Sequence, residues 1–130
     1  MIVDSSAVVA ILLQEPGWEP LLDHIAADPA PAIGAPTLVE SGIVLAARLG
    51  IPGKTLLARF VEESGMRPIA FDADHWTVAV DAYLRYGKGR HPAALNFGDC
   101  LTYAISRIAE EPLLCIGDDF AKTDLPLIPI

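Results

Sequence analysis

The chain has 130 residues, 52% of them hydrophobic, and a formal net charge of −8 at pH 7. That length fits a single domain over residues 1–130 that folds without disulfides or a structural metal, and the two distant cysteines, Cys100 and Cys115, exclude a disulfide framework or a thiolate zinc site. The acidic balance argues against capturing nucleic acid by overall charge, and the apolar runs are too short and too interrupted for a signal peptide or membrane span, so a cytoplasmic protein is expected.

Met1–Asp4 reads as a short buried strand and Ser6 to Leu13 as a helix ended near Pro16-Gly17. Trp18 to Ala27 places Trp18, Leu21, Leu22, Ile25 and Ala26 on helical spacing. Pro29 and Pro31 break the chain before a second short strand, Ala32–Ala35. The pattern predicts a helix over Leu38–Leu49, stopped by Gly50 and Pro52, and another over Lys54–Ser64. Arg67–Phe71 reads as a strand despite Pro68, and Asp72 caps a long helix to about Tyr86. Gly87–Gly98 is a loop rich in glycine, basic and turn residues, Asp99–Ala109 is helical, and Leu113–Ile116 is a buried strand ended by Gly117. Leu127-Ile128 adds an edge strand. Short apolar strands alternating with helices imply right-handed crossovers, hence an α/β sandwich around a parallel sheet.

Most acidic residues are those a surface helix carries, but a few sit inside apolar sequence at element boundaries. Asp4 ends the first strand, Glu40 lies in "TLVESGIVLAA", Asp99 lies in "NFGDCLTYAI", and Asp118 and Asp119 follow "LLCIG". Each has a structural explanation: Asp4 as a helix cap, Thr37–Glu40 and Asn96–Asp99 as capping boxes, Asp118-Asp119 as a turn. A parallel sheet, however, brings strand C-termini and the starts of the following helices to one edge, where these carboxylates would repel one another unless a cation neutralised them. Oxygen donors of this kind suit Mg²⁺ or Mn²⁺, and such an ion is suited to hydrolysing a phosphodiester. Competing chemistry is poorly represented. His24, His75 and His91 form no triad signature with Ser5 or Ser6, and "GKGRH" lacks the features of a phosphate-binding P-loop.

Four segments, "IVDSSAVVAIL", "PTLVESGIVLAARLG", "YGKGRHPAALNFGDCLTYAIS" and "PLLCIGDDFAKTDL", together resemble the PIN-domain ribonucleases, specifically VapC-type toxins of bacterial VapBC toxin–antitoxin modules. The resemblance spans almost the whole chain. It implies a three-layer α/β/α sandwich with a short, mostly parallel sheet of about four to five strands. It also implies an Mg²⁺- or Mn²⁺-dependent endoribonuclease held inactive by a VapB antitoxin and usually working as a homodimer. The family's acids fall on Asp4, Glu40 and Asp99, with Asp119 or Asp118 as the fourth because Gly117 stands where many relatives carry an acid or amide. On this reading Asp4 and Asp99 hold the metal, Glu40 and Asp119 hold its waters, and Ser5 or Ser6 orients a water or carboxylate. Arg85, Lys88, Arg90, His91 and Asn96 would contact RNA, with Tyr83, Tyr86 and Phe97 available to stack bases.

Two other classes compete. A phosphotransfer domain of the phosphatase type wants an Asp two residues after the first, where Ser6 stands, and a receiver domain wants a Lys at a strand end, where none of Lys54, Lys88 or Lys122 lies. A catalytically inactive PIN-fold binding module would have no need of the main acids, all of which remain.

Overall fold

The computed structural model describes residues 1–130. Strands β1 (Ile2–Val3), β2 (Ala32–Gly34), β3 (Arg67–Ile69) and β4 (Leu113–Leu114) form one parallel sheet in the order β3-β2-β1-β4. The central strand β1 sets Ile2 beside Ala32 and Leu113, and Val3 beside Leu114. The edge strand expected at Leu127-Ile128 is reduced to a single parallel bridge between Leu127 and Leu113. Pro126 and Pro129 flank that bridge and lack the N–H groups needed to extend it.

Successive side chains of a strand point to opposite faces, and here both faces are covered. Ile2, Ala32, Leu113 and Cys115 enter one apolar cluster with Ala79, Ala82, Tyr86, Tyr103 and Ile105. Met1, Val3, Ile33 and Leu114 enter the other, with Val8, Ile11, Leu21, Ile25, Leu45 and Leu57. Helices α5 (Ala73–Tyr86) and α6 (Phe97–Ala109) supply the first layer; α1 (Ser5–Leu12), α2 (Trp18–Ala27), α3 (Ala35–Leu49) and α4 (Ile51–Ser64) supply the second. The result is the expected α/β/α sandwich. With no wet face on the sheet, its strands read as unbroken apolar runs.

Two helices begin a full three residues earlier than the sequence pattern predicts, for one reason. α3 starts at Ala35 instead of Leu38 and α4 at Ile51 instead of Lys54, with Pro36 and Pro52 in their first turns. A proline is harmless there because first-turn N–H groups have no acceptor within the helix. Gly50, at φ 75°, caps the end of α3 and the start of α4, a conformation that glycine adopts without strain.

The early start of α3 replaces the capping box expected at Thr37–Glu40. Gly34 is the N-cap, and Thr37 is buried with its hydroxyl 3.1 Å from that of Thr102 on α6. Glu40 is therefore free to reach elsewhere. At the far end of the chain, Asp124 accepts a hydrogen bond from the Tyr103 hydroxyl at 2.6 Å and pairs with Arg107 at 2.7 Å. These contacts fasten the C-terminal segment to α6.

Candidate active site

Parallel strands end at one edge of a sheet, and helices running back against them begin there. Asp4 follows β1, α3 follows β2, residues 115–119 follow β4, and α6, which leads into β4, starts at the same edge.

Asp4 is only 5% exposed and is the N-cap of α1. Its Oδ2 accepts from the Ser6 N–H at 3.1 Å and from the Ser6 hydroxyl at 2.6 Å, while Oδ1 has no hydrogen bond. The Ser6 oxygen accepts in turn from the Ile116 N–H at 3.0 Å. One hydroxyl thus ties the first acid to the chain leaving β4. Oδ2 does the capping of α1 and leaves Oδ1 uncommitted.

Glu40 crosses from α3 to the starts of two other helices. The Ser5 hydroxyl donates to its Oε1 at 2.8 Å, and its carboxylate lies against Gly98 on α6. Asp99 is the next residue along α6. It forms the expected reciprocal cap: Asn96 Oδ1 accepts the Asp99 N–H at 2.9 Å, and Asp99 Oδ2 accepts the Asn96 N–H at 3.0 Å.

The charges of these groups are felt together. Burial pushes the Asp99 carboxyl up to about 6, against the lowering bond from the Asn96 N–H, and the negative charges of Asp4, Asp119 and Glu40 add to the rise. Burial, reinforced by Asp4, Asp99 and Asp119, likewise pushes the Cys115 thiol up to about 12. That thiol is no nucleophile near neutral pH. Asp118 and Asp119 are both exposed, but it is the Asp119 charge that raises the Asp99 carboxyl and the Cys115 thiol.

None of Asp4, Glu40, Asp99 and Asp119 forms an ion pair with a lysine, arginine or histidine. No three His, Cys, Asp or Glu side chains make a ready ligand set on their own. Carboxylate oxygens are hard donors of the kind that Mg²⁺ or Mn²⁺ accepts, commonly with several waters kept on the ion.

The basic loop is more structural than its sequence suggests. Arg85 donates to the Tyr86 hydroxyl at 2.8 Å and pairs with Asp124, Arg90 donates to the Leu84 carbonyl at 3.2 Å, and His91 Nδ1 accepts the Ala93 N–H at 3.0 Å. Lys88 is exposed and has no such partner, standing with Asn96 and Phe97 at an apolar groove of about 690 Å³. Tyr86 is buried in the core, which removes it as a base-stacking surface, whereas Phe97 is 80% exposed. The sequence reading passed over Trp76, 58% exposed in the same groove, and Gly98. The only sequence signal for Gly98 was a glycine between the Asn96 cap and Asp99.

The Asp99 environment makes a prediction about stability. Without a cation, the native carboxyl titrates near about 6, above its ordinary 3.8, so the folded state holds more protons than the unfolded state between those values. Stability therefore falls as pH rises through that window and levels off above it. Relative to Asp99→Asn, the melting temperature of the metal-free protein should drop from about pH 4 to about pH 6, and Mn²⁺ should raise it at neutral pH but hardly at the acid end. Scanning fluorimetry of both proteins reads this; a wild-type-minus-variant difference that is flat with pH contradicts it.

Residues 1–125 match the PIN domain family. The chain is 47% identical over 126 residues to Ribonuclease VapC36 of Mycobacterium tuberculosis, covering 96% of this chain and 91% of that protein. Its fold superposes on that of M. tuberculosis VapC20, described as a sarcin–ricin loop cleaving toxin, with a TM-score of 0.80 at 18% identity, covering 99% and 98% of the two chains. A toxin–antitoxin complex from Klebsiella pneumoniae gives a TM-score of 0.74 at 17% identity, with 99% and 97% covered. With its family match, its close VapC relative and its PIN-type sandwich, the chain belongs to the PIN-domain family, in the VapC group.

Proposed function

We propose that this chain is a divalent-metal-dependent endoribonuclease and the toxin of a type II toxin–antitoxin pair. The observation that carries the reading is the gathering of Asp4, Glu40, Asp99 and Asp119 at one sheet edge with no cationic side chain to offset them. A relative 47% identical is named a ribonuclease, and a structural neighbour is named for cleaving an RNA loop, which supports RNA as the substrate class.

In this reading Asp4, through its uncommitted Oδ1, and Asp99 would hold an Mg²⁺ or Mn²⁺ ion directly, and Glu40 and Asp119 would hold it through water. Such an ion, when bound, would supply neutralisation of phosphate charge, a lowered pKa for water and stabilisation of the leaving 3′ oxygen. Ser6 keeps Asp4 in place, and Ser5 keeps Glu40 oriented. Lys88, the unpartnered cation of the basic loop, offers a contact to an RNA phosphate. The proposed partners are a VapB-type antitoxin and a second copy of the chain, and the proposed location is the cytoplasm. Similarity to a toxin–antitoxin complex and the exposed apolar side chains of Val39, Ile43 and Ile51 support a protein partner.

The test is cleavage of cellular RNA by the purified protein, read by sequencing new 5′ ends. Discrete cleavage that stops with a chelator and returns with Mg²⁺ or Mn²⁺ is expected. Cleavage that persists in excess chelator, or none with either metal, overturns the proposal.

A further inference from the structure

Four glycines, Gly34, Gly53, Gly87 and Gly98, occupy positions where a methyl group would come within 3.0 Å of a neighbour. At the first three the obstacle is the Ile105 side chain, the Leu45 carbonyl or Tyr83, so the reason for glycine is packing. Gly98 differs. A methyl there would lie 2.5 Å from Glu40 Oε2, 3.1 Å from its Cδ and 3.2 Å from Oε1, so it would occupy the space of the carboxylate itself.

The backbone gives no other reason for glycine. Gly98 is the second residue of α6, outside the left-handed region, and glycine is a poorer helix former than alanine. A helix start also carries free N–H groups and a positive dipole end that favour an anion nearby. The vacancy left by the missing side chain is filled by Oε2 of a carboxylate from another helix, whose Oε1 accepts the Ser5 hydroxyl at 2.8 Å.

We propose that Gly98 is a positioning residue. Its missing side chain admits the Glu40 carboxylate to the start of α6, one residue from Asp99, and so sets the distance between two acids carried by different helices. The role assigned to Glu40 under the proposed function underlies this inference. Because the obstacle is the tip of a flexible side chain, alanine at 98 displaces Glu40 and leaves the fold intact.

The experiment is a double-mutant cycle of Gly98→Ala and Glu40→Gln, read by RNA cleavage, Mn²⁺ affinity from the free-ion resonance signal, and melting temperature. Gly98→Ala should lower cleavage or Mn²⁺ affinity by about 10–100-fold with a melting temperature equal to or above wild type. In the Glu40→Gln background the same change should cost less than about twofold, because the negative charge that the methyl displaces is already absent. Equal losses in both backgrounds, wild-type behaviour of Gly98→Ala, or a Gly98→Ala crystal structure with the Glu40 carboxylate unmoved each overturn the proposal. A wild type that binds Mn²⁺ but cleaves no RNA instead defeats the ribonuclease reading, and Gly98 is then judged on the affinities and the crystal structure alone.

Discussion

Replacing Asp99 by Asn should reduce RNA cleavage by about 10²–10³-fold or more, since loss of one preorganised electrostatic group already has an effect of that size. The same change should leave the protein folded. Asn can accept the Asn96 N–H through its side-chain carbonyl, so the reciprocal cap at the start of α6 survives. It should also raise the metal-free melting temperature at neutral pH, because the wild-type carboxylate is forced to ionise in a half-buried place beside Asp4, Asp119 and Glu40. Activity and stability therefore move in opposite directions. Circular dichroism melts and cleavage assays on the same preparations check both, and a variant that cleaves at more than about a tenth of the wild-type rate contradicts the assignment.

Asp4 separates two roles by choice of substitution. Asn is as good an N-cap as Asp, so Asp4→Asn should melt within a few degrees of wild type while losing cleavage by a factor comparable to Asp99→Asn. Asp4→Ala removes the acceptor for the Ser6 N–H and hydroxyl as well, and should lose about 1–2 kcal/mol of stability in addition to activity. Urea unfolding of both variants beside their cleavage rates resolves the roles. Full cleavage by Asp4→Asn would show that the residue is a cap and nothing more.

Most of the architecture was legible because its causes are local. Apolar runs bounded by Gly and Pro gave the four main strands in order, and helical spacing gave every long helix. The misplaced starts of α3 and α4 share one cause: Pro36 and Pro52 were read as breakers, although a proline suits a first turn. That error also made Thr37–Glu40 look like a cap, when Thr37 is buried against Thr102 and Glu40 faces Ser5.

The candidate acids were legible as anomalies of pattern, and the sheet edge where they meet followed from strand parallelism. What distinguishes Asp119 from Asp118, or binds Arg85 to Asp124, depends on contacts between residues far apart in the chain, which no local pattern carries. Gly98 was missed for the same reason. Its neighbour in space, Glu40, lies on another helix.

The hydrogen bond from the Ile116 N–H to Ser6 joins residues 110 positions apart and closes the sheet edge with a segment made long after the first. A chain still emerging from the ribosome has Asp4 and Glu40 in hand but no β4 to dock beside β1, and therefore no Asp119 beside Asp99. The acids therefore gather at one edge only after the segment that follows β4 has docked against α1.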